Sequence, residues 1–134
     1  MIVADTNLIG YLFISSPHSG IAEQVLQKDP EWIAPFLWRS EFRNVLALYV
    51  RQKKLTLNES LEIIDASLEL MLGQEYEVAS HQVLRLVNES GCSAYDCEFV
   101  SLALDVKTVL VTSDQKLLKA FPQIAISPQA FCNR

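Results

Sequence analysis

The chain has 134 residues, half of them hydrophobic, which suits one domain built around one core and is too short for two ordinary domains. Its formal net charge of −5 lacks the basic footprint usual in nucleic-acid binders, unless clustered acids hold cations that then face the phosphate. No apolar run approaches the ~20 residues that span a bilayer, and no basic stretch precedes an apolar one at the start, so a cytoplasmic protein without membrane span or secretory signal is expected. Cys92, Cys97 and Cys132, with the isolated His18 and His81, fit neither a disulfide framework nor zinc-ligand spacing.

Ile2-Val3-Ala4 reads as a short buried strand, followed by a helix from about Asn7 to Ile14 that Ser15-Ser16-Pro17 breaks. A second helix runs from about Ser19 to Lys28, and Trp32-Ile33-Ala34 is a strand. The longest helix spans about Pro35 to Lys53, with proline near its first turn. Thr56-Leu57-Asn58-Glu59 is a capping box opening a helix to about Leu72, which Gly73 ends. Glu75 to Val78 is a short strand, and Ser80 to Glu89 a helix stopped at Ser90-Gly91. Ser93 to Asp96 resembles another capping box, opening a helix to about Leu104. Thr108 to Thr112 is a strand, Asp114 to Ala120 a short helix, Ile124 to Ile126 a last strand, and Ser127-Pro128 caps a terminal turn. Short apolar strands alternating with helices indicate an α/β domain with a mainly parallel sheet of four to five strands. Ligands of such sheets bind beyond the carboxyl ends of the strands.

Four acids occupy special positions. Asp5 follows the first strand, and Asp114 follows the strand through Val111, with Thr112 and Ser113 between. Helix capping is the plain alternative for both. Glu41 interrupts the stripe Leu37, Val45, Leu48 of the long helix, and an unpaired buried carboxylate costs several kcal/mol or protonates. Asp96 lies about 200° around its helix from Glu98. Glu98, Ser101 and Asp105 read as a solvated stripe, while Asp96 shares its side with Val100 and Ala103. Clustered carboxylates need a cation, and hard oxygen ligands suit Mg²⁺ or Mn²⁺. Bound water could then attack a phosphodiester, and two ions about 4 Å apart would stabilise the entering and leaving oxygens.

Met1-Ile-Val-Ala-Asp5-Thr6-Asn7, Ser40-Glu41, Tyr95-Asp96 with Val100-Ser101-Leu102-Ala103, and Val111-Thr112-Ser113-Asp114 with Gln115-Lys116-Leu117-Leu118 together resemble the four motifs of the PIN-domain family, in order and over essentially the whole chain. The resemblance implies a PIN-like three-layer sandwich over residues 1–134. It implies a Mg²⁺- or Mn²⁺-dependent endoribonuclease, and the length most resembles VapC-type toxins of type II toxin–antitoxin pairs. By that likeness Asp5, Glu41, Asp96 and Asp114 are metal ligands, with Asn7 and Thr112 in support. A small antitoxin, RNA as substrate and a homodimer are implied as partners. Many members carry another acid near the last motif; here Ser113 and Gln115 flank Asp114, which leaves one metal or two open.

Arg39 and Arg43 share a helix face away from Glu41 and could meet RNA phosphates or an antitoxin carboxylate, although a solvated face is the plainer reading. Lys116 could approach the scissile phosphate. Trp32 and Trp38 read as core or dimer contacts, and Phe13, Phe36 and Phe42 as core. A haloacid-dehalogenase-type phosphatase would need an acid where Asn7 stands. A catalytically silent PIN fold acting as a binding or regulatory module is the other alternative.

Overall fold

The computed structural model describes all 134 residues, as five strands, each followed by one or two of the eight helices. The first half comprises β1 (Ile2–Ala4), α1 (Thr6–Phe13), α2 (Ser19–Lys28), β2 (Trp32–Pro35), α3 (Leu37–Arg51) and α4 (Leu57–Leu70). The second comprises β3 (Glu75–Tyr76), α5 (Ser80–Ser90), α6 (Ala94–Val106), β4 (Leu110–Val111), α7 (Gln115–Ala120), β5 (Ala125–Ile126) and α8 (Pro128–Asn133).

All five strands are parallel, in the order β3-β2-β1-β4-β5. Register sets Ile2 beside Trp32 and Ala4 beside Val111. Chain order runs outward from β1 through β2 to β3, then returns to the other side of β1 for β4 and β5. That reversal makes β1 and β4 the switch point, where open parallel sheets leave a crevice at their carboxyl ends. Every residue of β1 and β2 is buried, as expected where helices cover both faces of a sheet. α6 lies across β1, β2 and β4, with α5 packed on it. α1 gathers α2, α3 and α4 into the other layer. The result is the three-layer α/β sandwich with a parallel sheet.

Local signals account for most boundaries. Thr56 and Glu59 complete their capping box by exchanging side-chain and backbone bonds of 2.9 and 3.1 Å. Gly91 closes α5 at φ 72°, a left-handed conformation that glycine enters without a Cβ penalty. Pro35 ends β2 instead of opening the long helix. The C-terminal turn is a six-residue helix capped by Ser127.

The long helix is phased differently from the apolar stripe. Its buried face is Trp38, Phe42 and Leu46, while Leu48 is 44% exposed. Glu41 therefore sits on the shoulder between core and crevice. The large rings of Trp38 and Phe42 outweigh the smaller Leu37, Val45 and Leu48 in setting that phase, because they have more surface to bury. Trp32 and Trp38 are both core, and Phe42 with them. Phe13 is only half-buried, and Phe36 is 47% exposed, its ring 5.7 Å from the Arg39 guanidinium. Ser101 departs from its expected solvated stripe: it is fully buried and paired with the side-chain amide of Gln82 on α5. The packing of α5 on α6 covers that side, which helical phase within α6 alone does not show.

Arg39 is held in the fold. Its guanidinium donates two bonds to the Glu75 carboxylate, which also accepts from the Trp38 indole at 2.7 Å. The Glu75 side chain is only 6% exposed, and these donors hold its carboxyl below the usual range. Glu75→Ala strands a buried indole N–H and a half-buried guanidinium, so urea denaturation is expected to show a loss of about 2 kcal/mol. Glu75→Gln, which keeps an acceptor oxygen, loses less. A loss below ~0.5 kcal/mol for the alanine variant would reduce this bridge to an ordinary surface pair.

Candidate active site

The site is assembled where β1 and β4 end. Asp5 leaves β1 in extended backbone and caps α1, its Oδ1 accepting from the Thr6 amide at 2.8 Å. Its Oδ2 accepts from the Thr112 hydroxyl at 2.6 Å and from the Asn7 side-chain amide at 3.2 Å. Asn7 in turn reaches Thr112 Oγ1 at 3.3 Å, and its Oδ1 accepts from the Ser113 amide at 3.2 Å. Thr112 Oγ1 accepts the Asp114 amide at 3.0 Å, and Asp114 caps α7 through bonds to Lys116 and Leu117. The segments after β1 and β4 are thus sewn together by side chains. Capping and membership of the site coexist at both aspartates, since each role uses the positive end of a helix.

The other two acids come from helices. Glu41, on α3, accepts from the Thr6 hydroxyl at 2.6 Å. Asp96 is the third residue of α6, and its amide is capped by Ser93 at 3.1 Å. The reciprocal bond from the Ser93 amide is not formed, because an aspartate is one methylene shorter than the glutamate of a full capping box. Asp5, Glu41, Asp96 and Asp114 line one cleft of about 350 Å³, together with Thr6, Asn7, Asn44 and Val45.

Their electrostatics record the crowding. Burial lifts the Asp5 carboxyl to about 6, against hydrogen bonds from Thr112 and Thr6, and the charges of Glu41 and Asp96 push the same way. Glu41 is raised by burial first, then by Asp96 and Glu98, against the bond from Thr6. Asp96 is raised by burial and by Asp114, and partly relieved by Ser93 and Lys116. No acid of the cleft has an arginine or lysine partner within salt-bridge distance. The oxygen-only donor set fits a hard divalent cation. No three His, Cys, Asp or Glu side chains yet stand close enough to grip one ion. The Thr6 and Thr112 hydroxyls instead hold Glu41 and Asp5 through hydrogen bonds of 2.6 Å each.

The three cations divide. Lys116 stands in the first turn of α7, close enough for its charge to reach Asp96. Arg39 is committed to Glu75, and Arg43 lines a separate groove between α3 and α4. Glu98 is half-buried instead of fully solvated; its charge reaches Glu41, but its side chain lines a different cleft beside α5. Thr6 and Asn44 are additions to the site. Asn44 lies one helical turn beyond Glu41, a spacing that could have revealed it. Thr6 adjoins Asp5 and carries a hydroxyl, but only the tertiary fold shows that it meets Glu41.

A parallel α/β domain that gathers acids from four elements at its switch point defines the class. A family model described as PIN domain matches residues 2–122, and the chain belongs to that family. Among solved structures, the fold is similar to PAE2754 from Pyrobaculum aerophilum, with 20% identity over 99% of this chain and 94% of that one and a TM-score of 0.79. It is similar also to FitAcB from Neisseria gonorrhoeae, at 16% identity over 96% and 99% of the two chains, TM-score 0.76. A toxin–antitoxin complex from Klebsiella pneumoniae shares 16% identity over 96% and 98%, TM-score 0.69. At these identities the likeness is one of fold. No curated protein is detectably similar in sequence.

Asp5 gives the site a measurable pH signature. The unfolded chain releases this proton near 3.8, the folded chain near 6. Between those values the folded state holds more protons, so stability falls as pH rises and stays lowered above. At 1.36 kcal/mol per unit the loss from Asp5 is about 3 kcal/mol, and the shifts of Glu41 and Asp96 have the same sign. Urea denaturation in chelator from pH 4 to 7 is expected to show that decline, flattened in Asp5→Asn. Equal slopes for the two proteins would assign the titration elsewhere.

Proposed function

We propose that the chain is a metal-dependent endoribonuclease that hydrolyses RNA phosphodiester bonds, and the toxin of a type II toxin–antitoxin pair. The observation that carries this reading is the convergence of four carboxylates from four separate elements on one cleft, with no basic partner to neutralise them. Asp5, Glu41, Asp96 and Asp114 would hold Mg²⁺ or Mn²⁺. The bound ion would supply a water of lowered pKa and offset charge on the phosphate. Thr112 and Asn7 would orient Asp5, and Thr6 would orient Glu41, through the hydrogen bonds these carboxylates already accept. Lys116 would meet the negative charge of the phosphate at the rim.

The partner assignment rests on the family and on one surface feature. An apolar groove of about 370 Å³ between α3 and α4 is lined by Leu46, Val50, Leu57, Leu61 and Ile64, with Arg43 and Arg51 beside them. Leu57 and Leu61 are 63% and 50% exposed, apolar surface that suits a protein partner such as a small antitoxin or a second copy in a homodimer. No helix is long and apolar enough to cross a membrane. The absence of a ready-made ion cage favours a second reading, in which the fold is catalytically silent and acts as a binding module.

Two measurements separate these readings. Millimolar Mn²⁺ is expected to raise the melting temperature by several degrees at pH 8 and by much less at pH 5, where Asp5 is protonated. An unchanged melting temperature at both would favour the silent module. Incubation with single-stranded RNA and Mg²⁺ or Mn²⁺ is expected to give cleavage that EDTA abolishes and that Asp5→Asn or Asp96→Asn lowers at least a hundredfold. Cleavage that persists in EDTA, or in both variants, would sink the mechanism. Growth unaffected by induced expression would count against the toxin assignment.

A further inference from the structure

RNA must be held as well as cut, and the chain has few means of doing so by charge. Its net charge is −5, Arg39 is tied to Glu75, and Arg43 faces another groove. Beside the acidic cleft lies a second one, of about 220 Å³. Thr6, Asn7 and Val45 line both, so the two adjoin. Its walls are Tyr11, Ile14, His18 and Tyr49, and its floor includes Gly10. Tyr11 and His18 are stacked, with ring centroids 4.5 Å apart and planes 25° from parallel. The Tyr11 hydroxyl is bonded to Ser113 Oγ at 2.9 Å, within the segment that carries Thr112 and Asp114. His18 precedes α2 but makes no side-chain cap, so its imidazole is not spent on the helix. Lys54 places its ammonium 5.6 Å from the centroid of the Tyr49 ring.

We propose that this cavity is a nucleobase subsite, in which Tyr11, His18 and Tyr49 take the base of a nucleotide adjoining the scissile phosphate. The inference rests on the ribonuclease reading for the identity of the ligand. Single-stranded RNA is gripped by stacking its unpaired bases on aromatic rings, an interaction that needs no net positive charge. The Tyr11 ring is already fixed by Ser113 and His18, so little side-chain freedom is lost when a base arrives. Lys54, beside the Tyr49 ring, adds one positive charge next to that wall. Because stacking dominates, binding should depend only weakly on salt.

The test uses a short single-stranded RNA carrying one 2-aminopurine, moved along the strand, with the full-length protein in EDTA so that no cleavage occurs. Stacking is expected to quench the fluorescence at one preferred position. His18→Ala and Tyr49→Leu should each weaken the interaction about tenfold, whereas Tyr49→Phe should retain it. Both altered side chains lie at the surface or half-exposed, and unchanged melting temperatures would exclude unfolding as the cause. With Mn²⁺ present, the same variants are expected to raise KM about tenfold, with a smaller change in kcat. Quenching that is absent, or equal in wild type, His18→Ala and Tyr49→Leu, overturns the subsite, even where wild type cleaves RNA normally. Quenching that follows the rings in a protein that cleaves nothing under any metal keeps the subsite and removes the nuclease.

Discussion

The bond from the Thr112 hydroxyl to the Asp5 carboxylate joins the two strand ends on which the rest of the site depends. It crosses 107 positions of sequence and spans the switch point of the sheet. Both partners are buried, Thr112 completely, so the bond is strong and costly to leave unmade. Asn7 braces it from one side and the Asp114 amide from the other. The cluster fixes where α1 and α7 begin, and hence where Thr6 and Lys116 stand. Glu41 then takes its orientation from Thr6, so even the acid on the long helix is referenced to Asp5.

That arrangement opposes its own stability. Burial and neighbouring charges raise three of the four carboxyls, so the folded chain holds protons that the unfolded chain would release. A structure selected only for stability would place a cation there or replace an acid. Hydrogen bonds from Thr6, Thr112 and Ser93 relieve part of the strain while leaving the negative charge in place. Under the proposed reading, the divalent ion supplies the remaining compensation, and its binding energy is coupled to the repulsion it removes.

Much of this was legible in the sequence because the decisive residues lie at element boundaries. Ile2-Val3-Ala4 before Asp5, and Val111 before Thr112 and Asp114, announce strand ends through composition alone. Thr56 with Glu59, and Ser93 with Asp96, announce helix starts through spacing. What stayed hidden depends on which faces pack in three dimensions. Trp38 turns α3 so that Glu41 stands at the edge of the core and not within it. Gln82 of α5 buries Ser101, although the phase of α6 alone points that residue outward. Glu75, a surface acid by type, becomes the anchor of Arg39 because the edge strand β3 ends beside α3. A charge stripe on one helix cannot report a partner 36 positions away.

The same limit explains why a negative net charge is a poor guide to this chain's partners. Net charge sums over the molecule, whereas recognition is local. Here one of the arginines on α3 is neutralised within the fold, and four of the sixteen acids are gathered in one cleft. The adjoining aromatic cavity contributes no charge to the sum, so composition is blind to it. Rings at Tyr11, His18 and Tyr49 come from two sides of the chain's first layer and meet only because α1 packs on α3. A divalent ion for the phosphate and stacked rings for the base would together let an acidic protein hold an anionic polymer, each component acting over a few ångströms where the overall field is unfavourable.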